Sequence, residues 1–331
     1  MPRLDRIKKA AGAACLLSLE GTILTSREAA LFREMTPIGV IFFKRNIESL
    51  RSLELLCGDL RRECESLCIF AIDEEGGRVR RLPDGPYSLP PAKELAILDE
   101  EIFTERVGTL GRELRRLGLT MDMAPVVDLR SGEDCSIVGD RAFSDDPVAV
   151  THCARRYLAA LQREGIAGVI KHFPGHGATT IDSHKELPRI EWPYDDLAAR
   201  DLVPYQLLAD TASFVMAAHI LVPAVDPLFP ASLSREWMRI LREEIGFGGF
   251  VMSDDLEMHA LDGWTPEEKA RLCLEAGSDL ILVCSGREEA LLRHWEGVVR
   301  AAEADDILLR RLEQRGEELE ATIAAIVGPI R

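Results

Sequence analysis

The stretch Lys171-His172-Phe173-Pro174-Gly175-His176-Gly177, followed by Asp182-Ser183-His184, gathers three of the seven histidines of this 331-residue chain beside a lysine and an aspartate. Imidazole gains or loses a proton near neutral pH. In an extended segment, residues i and i+2 face the same way, so Asp182 and His184 can pair. A carboxylate beside a histidine fixes its tautomer and supports its protonated form, which suits His184 to general acid and base work. Pro174-Gly175 interrupts any helix there. The apolar residues 167–170 just upstream read as a short buried strand. The polar cluster therefore falls at the carboxyl end of a strand, where parallel α/β proteins build active sites. A single histidine is commonly structural, but five polar groups on one such loop are an enzyme's pattern.

Two further segments carry chemistry. Residues 248–252 form an apolar run ending in Ser253-Asp254-Asp255. Neighbours on an extended chain point to opposite sides, so one carboxylate enters a pocket while the other caps a helix or braces its neighbour. A strand-end carboxylate can act as nucleophile, general base or metal ligand. In Ile72-Asp73-Glu74-Glu75-Gly76-Gly77-Arg78-Val79-Arg80-Arg81 the glycine pair permits a tight turn. That turn lets Asp73 and a downstream arginine face one cavity and bind vicinal hydroxyls with an amide or carboxylate. Neither GxGxxG nor a Walker lysine is present, so this is no phosphate loop.

These groups need elements to hold them. Short apolar runs occur at 14–19, 39–43, 67–72, 120–124, 168–170, 214–218, 249–252 and 279–283. Amphipathic patterns predict helices at 50–64, 101–117, 147–163, 194–210, 235–244, 266–276, 288–302 and 307–326. In 101–117 the apolar residues Ile102, Val107, Leu110, Leu114 and Leu117 mark one buried face. Eight strands alternating with helices predict an α/β fold, a single (β/α)8 barrel occupying 1–331 as one domain. A doubly wound sheet competes on strand count. The placement of Asp73, Asp122, Lys171, His172, His219 and Asp254 at or after the ends of different strands favours the barrel. Lys8-Lys9 followed by the run 10–19 has a superficial likeness to a secretion signal. Gly12, the lack of a small-x-small site and direct passage into Glu20-Gly21 make it the first strand instead.

The formal net charge of −16 argues against nucleic acid and anionic membranes as partners, because so acidic a chain repels phosphate, although a local basic pocket could still bind an anionic ligand. No run of 18 apolar residues is present to span a bilayer. The eight cysteines follow no CxxC or metal-ligand spacing. Cys15, Cys68, Cys273 and Cys284 sit in apolar runs, as buried small hydrophobes do. A cytoplasmic protein with reduced thiols is expected.

The elements AIDEEGGRVRRLP, APVVDL, GDRAFSDDP, KHFPGHGATTIDSHKELP, AAHI and GFVMSDDLEM resemble glycoside hydrolase family 3 in order and spacing. The likeness runs from about residue 14 to about 290 and is strongest to the bacterial β-N-acetylglucosaminidase branch that trims cell-wall fragments. KHFPGHG followed by DSH marks that branch, and SDD marks the wider family. Ala178 and Glu257 depart from residues common among relatives, an acid and a serine respectively.

The resemblance implies a (β/α)8 barrel and a retaining two-step mechanism. It assigns the nucleophile to Asp254 and the acid/base to His184, supported by Asp182. Asp73, Arg81, Arg141, Lys171 and His172 would hold a terminal N-acetylglucosamine of a muropeptide. No cofactor or metal is called for, and a monomer or weak homo-oligomer is expected. A neutral imidazole would not repel an anionic acceptor, which leaves a family 3 β-glycosidase or phosphorylase of other sugar specificity as the alternative. Two other classes compete. One is a metal-dependent hydrolase using His172, His176 and an aspartate, although Pro174-Gly175 breaks the helix that His-x3-His would need. The other is an inactive sugar-binding barrel.

Overall fold

The computed structural model describes residues 2–130, 138–177, 179 and 186–328. Nine strands pair in parallel throughout: β1 (Cys15–Leu17), β2 (Gly39–Phe42), β3 (Ile69–Ile72), β4 (Met121–Asp122), β5 (Ala167–Gly168), β6 (Ile170–Phe173), β7 (Phe214–Ala217), β8 (Phe250–Asp255) and β9 (Leu280–Val283). Their order is β5-β4-β3-β2-β1-β9-β8-β7-β6. β5 and β6 are separated by Val169 alone, yet they occupy the two ends of that order. One chain segment thus serves both edges, and a parallel bridge from Val126 to Lys171 adds to the seam. The result is an eight-staved barrel, as the strand count predicts.

Alternation along each strand divides the core. Leu16, Ile41, Ala71, Met121, Phe214, Met252 and Leu282 belong to one buried cluster inside the barrel. Leu17, Val40, Phe42, Phe70, Val215, Val251 and Ile281 belong to a larger one between sheet and helices. The last helix supplies Leu319, Ile323 and Val327 to the inner cluster and so closes the amino-terminal end of the barrel. That leaves the carboxyl ends of the strands for chemistry.

Three sequence expectations need correction. Residues 10–19 are not one strand: a helix, α1 (Arg3–Ala13), runs into the run, and only Cys15–Leu17 is extended. Ile7, Ala10 and Ala11 give that helix a buried face, and Gly12 lets it approach the chain so closely that a Cβ would fall 2.2 Å from Met35 O. A second helix, α2 (Ser26–Met35), begins with a capping box between Thr25 and Glu28. The pattern at 194–210 breaks into Tyr194–Ala198 and Val203–Leu208, because Pro204 suits a helix's first turn and not its interior. Between α2 and these pieces lie α3 (Leu50–Glu63), α4 (Ala92–Leu95), α5 (Glu100–Arg116) and α6 (Pro147–Arg163). On α5 the buried face is Phe103, Val107, Leu110 and Leu114, while Ile102 is 46% exposed.

The seven described cysteines are free thiols, six of them buried and Cys68 half-buried; Cys135 lies outside the described residues. No helix among the described residues is long and apolar enough to cross a membrane.

Candidate active site

Asp73 follows β3 directly. Beyond it Gly76 and Gly77 take positive φ of 99° and 52°, and a Cβ on Gly76 would fall 2.5 Å from Pro90 O. The turn is secured by Glu74, whose Oε2 accepts the N–H groups of Arg81 at 2.7 Å and Leu82 at 3.0 Å. The chain therefore doubles back, and Arg81 Nη2 reaches Asp73 Oδ2 at 3.1 Å. The pairing of Asp73 with a downstream arginine, expected from the glycine turn, is Asp73 with Arg81.

From across the barrel, β6 delivers Lys171. Its Nζ lies 2.8 Å from Asp73 Oδ1 and 2.7 Å from Glu75 Oε1. Glu75 in turn receives Arg141 in a bidentate pair at 2.8 and 2.7 Å. Arg141 Nη2 stands 3.4 Å from His172 Nε2. The other ring nitrogen, Nδ1, meets Asp128 Oδ2 at 2.7 Å, and Asp128 Oδ1 accepts the backbone N–H of His176 at 2.7 Å. Arg81, Asp73, Lys171, Glu75, Arg141, His172 and Asp128 thus form one continuous polar chain across the strand ends. Each buried charge has an opposite neighbour, the condition under which burying charge is tolerable.

The electrostatics follow from that alternation. Burial alone would push Asp73 up, but Lys171 and Arg81 outweigh it and hold the carboxyl below its usual range. Burial likewise opposes ionisation of Glu75, and Lys171 with Arg141 overcomes it decisively. Lys171 is desolvated, yet Asp73 and Glu75 raise its pKa above the ordinary lysine value. His176 goes the other way: burial, then the neighbouring His172, press it down to about 4.

Asp254 is the penultimate residue of β8 and is half-buried. Burial would raise its pKa, but His172, His219, the N–H of Asp255 and Lys171 together hold it low. Asp255 points elsewhere. Its Oδ1 accepts the N–H groups of Glu257 and Cys284, each at 3.1 Å, and burial pushes it up to about 7. The adjacent carboxylates therefore divide as the strand geometry predicts: one is held ionised among cations, and the other braces the loops after β8 and β9.

Of the residues singled out from sequence, Asp73, Arg81, Arg141, Lys171 and His172 are joined by hydrogen bonds and ion pairs. Asp254 lies within the electrostatic reach of His172 and Lys171. Asp182 and His184 lie outside the described residues. Asp122, also at a strand end, is turned into the protein: it accepts Glu74 N–H at 3.0 Å and meets the Tyr157 hydroxyl at 3.3 Å. His219 bonds Ser232 Oγ at 2.6 Å and the carbonyl of Asp255 at 2.9 Å, fixing the end of β8. Glu75 and Asp128 carry no expectation from the sequence alone. Glu75 was masked by an acidic triplet. Asp128 had a usable signal, its place just after the apolar pair Val126-Val127.

Among the described residues, His172 is not open to the competing metal site. Arg141 places a guanidinium against His172 Nε2, the nitrogen a cation would need, and Asp128 occupies Nδ1. Among the described residues no group of three histidine, cysteine or acidic side chains is placed to hold a metal ion.

Residues 22–319 match the model for the glycosyl hydrolase family 3 N terminal domain. The chain is 40% identical over 291 residues to the beta-hexosaminidase of Alkalilimnicola ehrlichii, covering 84% of this chain and 83% of that protein. It is 38% identical over 305 residues to the beta-hexosaminidase of Nitrosospira multiformis, covering 87% of each. Among solved structures, NagZ from Neisseria gonorrhoeae in complex with N-trifluoroacetyl-D-glucosamine superposes with a TM-score of 0.78 at 29% identity, over 95% of this chain and 98% of that one. A family 3 beta-N-acetylglucosaminidase from Paenibacillus sp. str. FPU-7 gives a TM-score of 0.90 at 31% identity, over 97% of this chain but only 63% of that longer one.

Proposed function

The chain belongs to glycoside hydrolase family 3, and from that premise we propose that it is a retaining, exo-acting β-N-acetylglucosaminidase, a single catalytic domain that frees terminal N-acetylglucosamine from peptidoglycan fragments. The observation that carries this reading is Asp254. It is a half-buried carboxylate near a strand end, its pKa held low by His172, His219, the N–H of Asp255 and Lys171, while burial pushes that of its neighbour Asp255 up to about 7.

A retaining glycosidase forms a covalent glycosyl-enzyme and then hydrolyses it. Asp254 attacks the anomeric carbon, and its bond to the sugar forms as the bond to the leaving oxygen breaks. His184, with Asp182 behind it, donates a proton to that oxygen. In the second step His184 takes a proton from water, which displaces Asp254 and retains the configuration. Imidazole here does the work a carboxylic acid does in the commoner two-carboxylate scheme.

Asp73, Arg81, Lys171, Arg141 and His172 would grip the terminal sugar. A carboxylate flanked by two cations accepts from vicinal hydroxyls, and the cations donate to ring oxygens or the acetamido carbonyl. The network Asp73–Lys171–Glu75–Arg141 fixes these groups before substrate arrives, so less ordering is needed on binding. Beta-hexosaminidase relatives and the N-trifluoroacetyl-D-glucosamine complex support the acetamido sugar. A cytoplasmic setting and action on muropeptides belong to the same proposal, and the free thiols suit a reducing compartment.

A panel of p-nitrophenyl glycosides tests it. The N-acetyl-β-glucosaminide should be cleaved far faster than the β-glucoside. Rapid turnover of the glucoside with none of the N-acetylglucosaminide would overturn the substrate assignment.

A further inference from the structure

On the catalytic rim, away from the network above, a cavity of about 340 Å³ opens between the loops that follow β8 and β9. Its wall includes Glu257, Lys269, Arg287, Glu289, Arg293 and His294. Lys269 belongs to the helix Pro266–Ala276, and Glu289 to the first turn of the helix Glu288–Ala304.

Apart from Glu289 at the mouth, the charges around this cavity are paired with one exception among the described residues. Glu257 bonds Arg287 at 2.9 Å and accepts the N–H of Ser285 at 2.8 Å. Arg293 is held by Glu267 at 2.9 and 3.1 Å. Asp262 meets His259 at 2.9 Å. Glu289 is exposed at the mouth, in the fields of Arg287 and Arg293. Lys269 is only 6% exposed and makes no hydrogen bond or ion pair with any described residue. Asp255, Glu257 and Asp262 act on it only at longer range, and burial lowers its pKa.

Lys269 buries its stem yet brings its ammonium to the cavity, where solvent reaches it and no described protein group pairs with it, the arrangement in which a lysine can serve a bound anion. Two neighbours define the use. The helix Glu288–Ala304 is 17 residues long, and its N-cap, Arg287, supplies no capping side chain. Its first turn, which includes the cavity-lining Glu289 and Ala290, therefore offers uncapped N–H groups and the positive end of a helix dipole. By contrast, the helix that carries Lys269 is closed by a Thr265–Glu268 capping box. His294, 1% exposed in the same wall, donates from Nδ1 to Ala290 O at 2.8 Å, which leaves Nε2 an unpartnered acceptor for the hydroxyl of a protonated oxyanion.

We propose that this cavity is a binding site for a small oxyanion, a phosphate or a carboxylate, held by Lys269 and the uncapped first turn of the helix Glu288–Ala304, and separate from the sugar site at Asp254. The volume exceeds that of the bare ion, so the anionic group of a small organic molecule also fits. The site goes beyond the glycosidase reading and does not depend on it.

Isothermal titration with inorganic phosphate and, separately, with propionate tests the proposal and tells the two oxyanions apart. One saturable site is expected for at least one of them. Lys269→Met should weaken it by roughly tenfold or more, the scale of losing one charge-assisted contact. Glu289→Gln removes a carboxylate from the mouth and should tighten binding several-fold, a gain that a folding defect cannot produce. Asp254→Asn should leave the affinity unchanged. Absence of saturable binding to both anions in the wild-type protein would overturn the site. So would an affinity indifferent to Lys269→Met in a folded variant, or one abolished by Asp254→Asn, which would place the anion in the sugar pocket.

Discussion

Asp254 Oδ1 accepts the backbone N–H of Asp255 at 2.8 Å, so the two carboxyl groups are linked through one peptide unit and yet titrate in opposite directions. The cause is their surroundings. Asp254 is half-buried beside His172, His219 and Lys171, whose electrostatic pull, with the N–H of Asp255, holds its carboxyl low. Asp255 is half-buried; desolvation, then the carboxylates of Glu257 and Asp254, raise it, and only backbone N–H groups oppose them. One environment suits the proposed nucleophile and the other a brace.

Asp254→Ala should therefore lower kcat by about a thousandfold or more, the scale of losing covalent catalysis. Asp255→Asn should keep most of the activity and lose stability instead, because Oδ1 can still accept the N–H groups of Glu257 and Cys284. A mechanism-based fluorosugar followed by peptide mass spectrometry identifies the residue that becomes labelled. Label on Asp255 would show that the register at the end of β8 has been read one residue out.

Lys171 is the point where the network can be cut most cleanly. Its side chain is 3% exposed and spans Asp73 and Glu75. Lys171→Met would leave two buried carboxylates with Arg81 and Arg141 alone, a loss of about 3–5 kcal/mol on the scale of broken buried pairs. Adding Glu75→Gln should restore part of that loss, since it removes one of the stranded charges. Urea unfolding of both single variants and the double variant measures the coupling. Strictly additive losses would mean that the two residues do not act as a pair.

The barrel was legible because its strands are short apolar runs bounded by turn signals. The helices were read less evenly, and each miss has a physical cause. The residues of α1 flow into β1 without a polar break, so an apolar run of ten residues hid a helix end and a strand together. The capping box Thr25-Ser26-Arg27-Glu28 announced α2, but the apolar face behind it is only Ala29, Leu31, Phe32 and Met35. In the site, residues carrying chemistry at strand ends could be found from spacing alone. Glu75 could not, and Asp128 only by its place after Val126-Val127, because their importance lies in partners 66 and 44 residues away, Arg141 and His172. Sequence shows which groups are available, whereas pairing across the barrel depends on closure of the sheet.

Asp122 gives a prediction about pH and stability. Burial pushes its carboxyl up to about 8, against an ordinary aspartate value of about 3.9. The folded protein thus keeps a proton that the unfolded chain gives up. The stabilising contribution is complete below the unfolded value and is lost as pH rises through about 8. Asp255 and Asp201, raised by burial to about 7 and about 6, act with the same sign. Asp122→Asn keeps the shape and can still accept the N–H of Glu74. It should therefore flatten, without abolishing, the fall in Tm between about pH 5 and 8.5. Parallel Tm profiles for the two proteins would show that Asp122 does not hold its proton in the fold.

The proton that leaves with the aglycone is assigned to His184, and its test must separate chemistry from binding. A natural glycoside needs its leaving oxygen protonated, whereas an aryl glycoside with an acidic phenol leaves with little help. His184→Ala should accordingly slow cleavage of an N-acetylglucosamine disaccharide far more than cleavage of a nitrophenyl or dinitrophenyl N-acetylglucosaminide. In the second step the same residue is the base that activates water, so the variant should accumulate glycosyl-enzyme from the activated substrate and show a burst of phenol release. Asp182→Asn keeps the imidazole but removes the charge that orients it and supports its protonated form, so it should give a smaller loss with the same dependence on the leaving group. The comparison rests on the rate of the glycosylation step as a function of leaving-group pKa. A steep dependence in His184→Ala against a shallow one in the wild type is the expected result. Equal slopes would mean that His184 is not the acid and that another group protonates the departing oxygen.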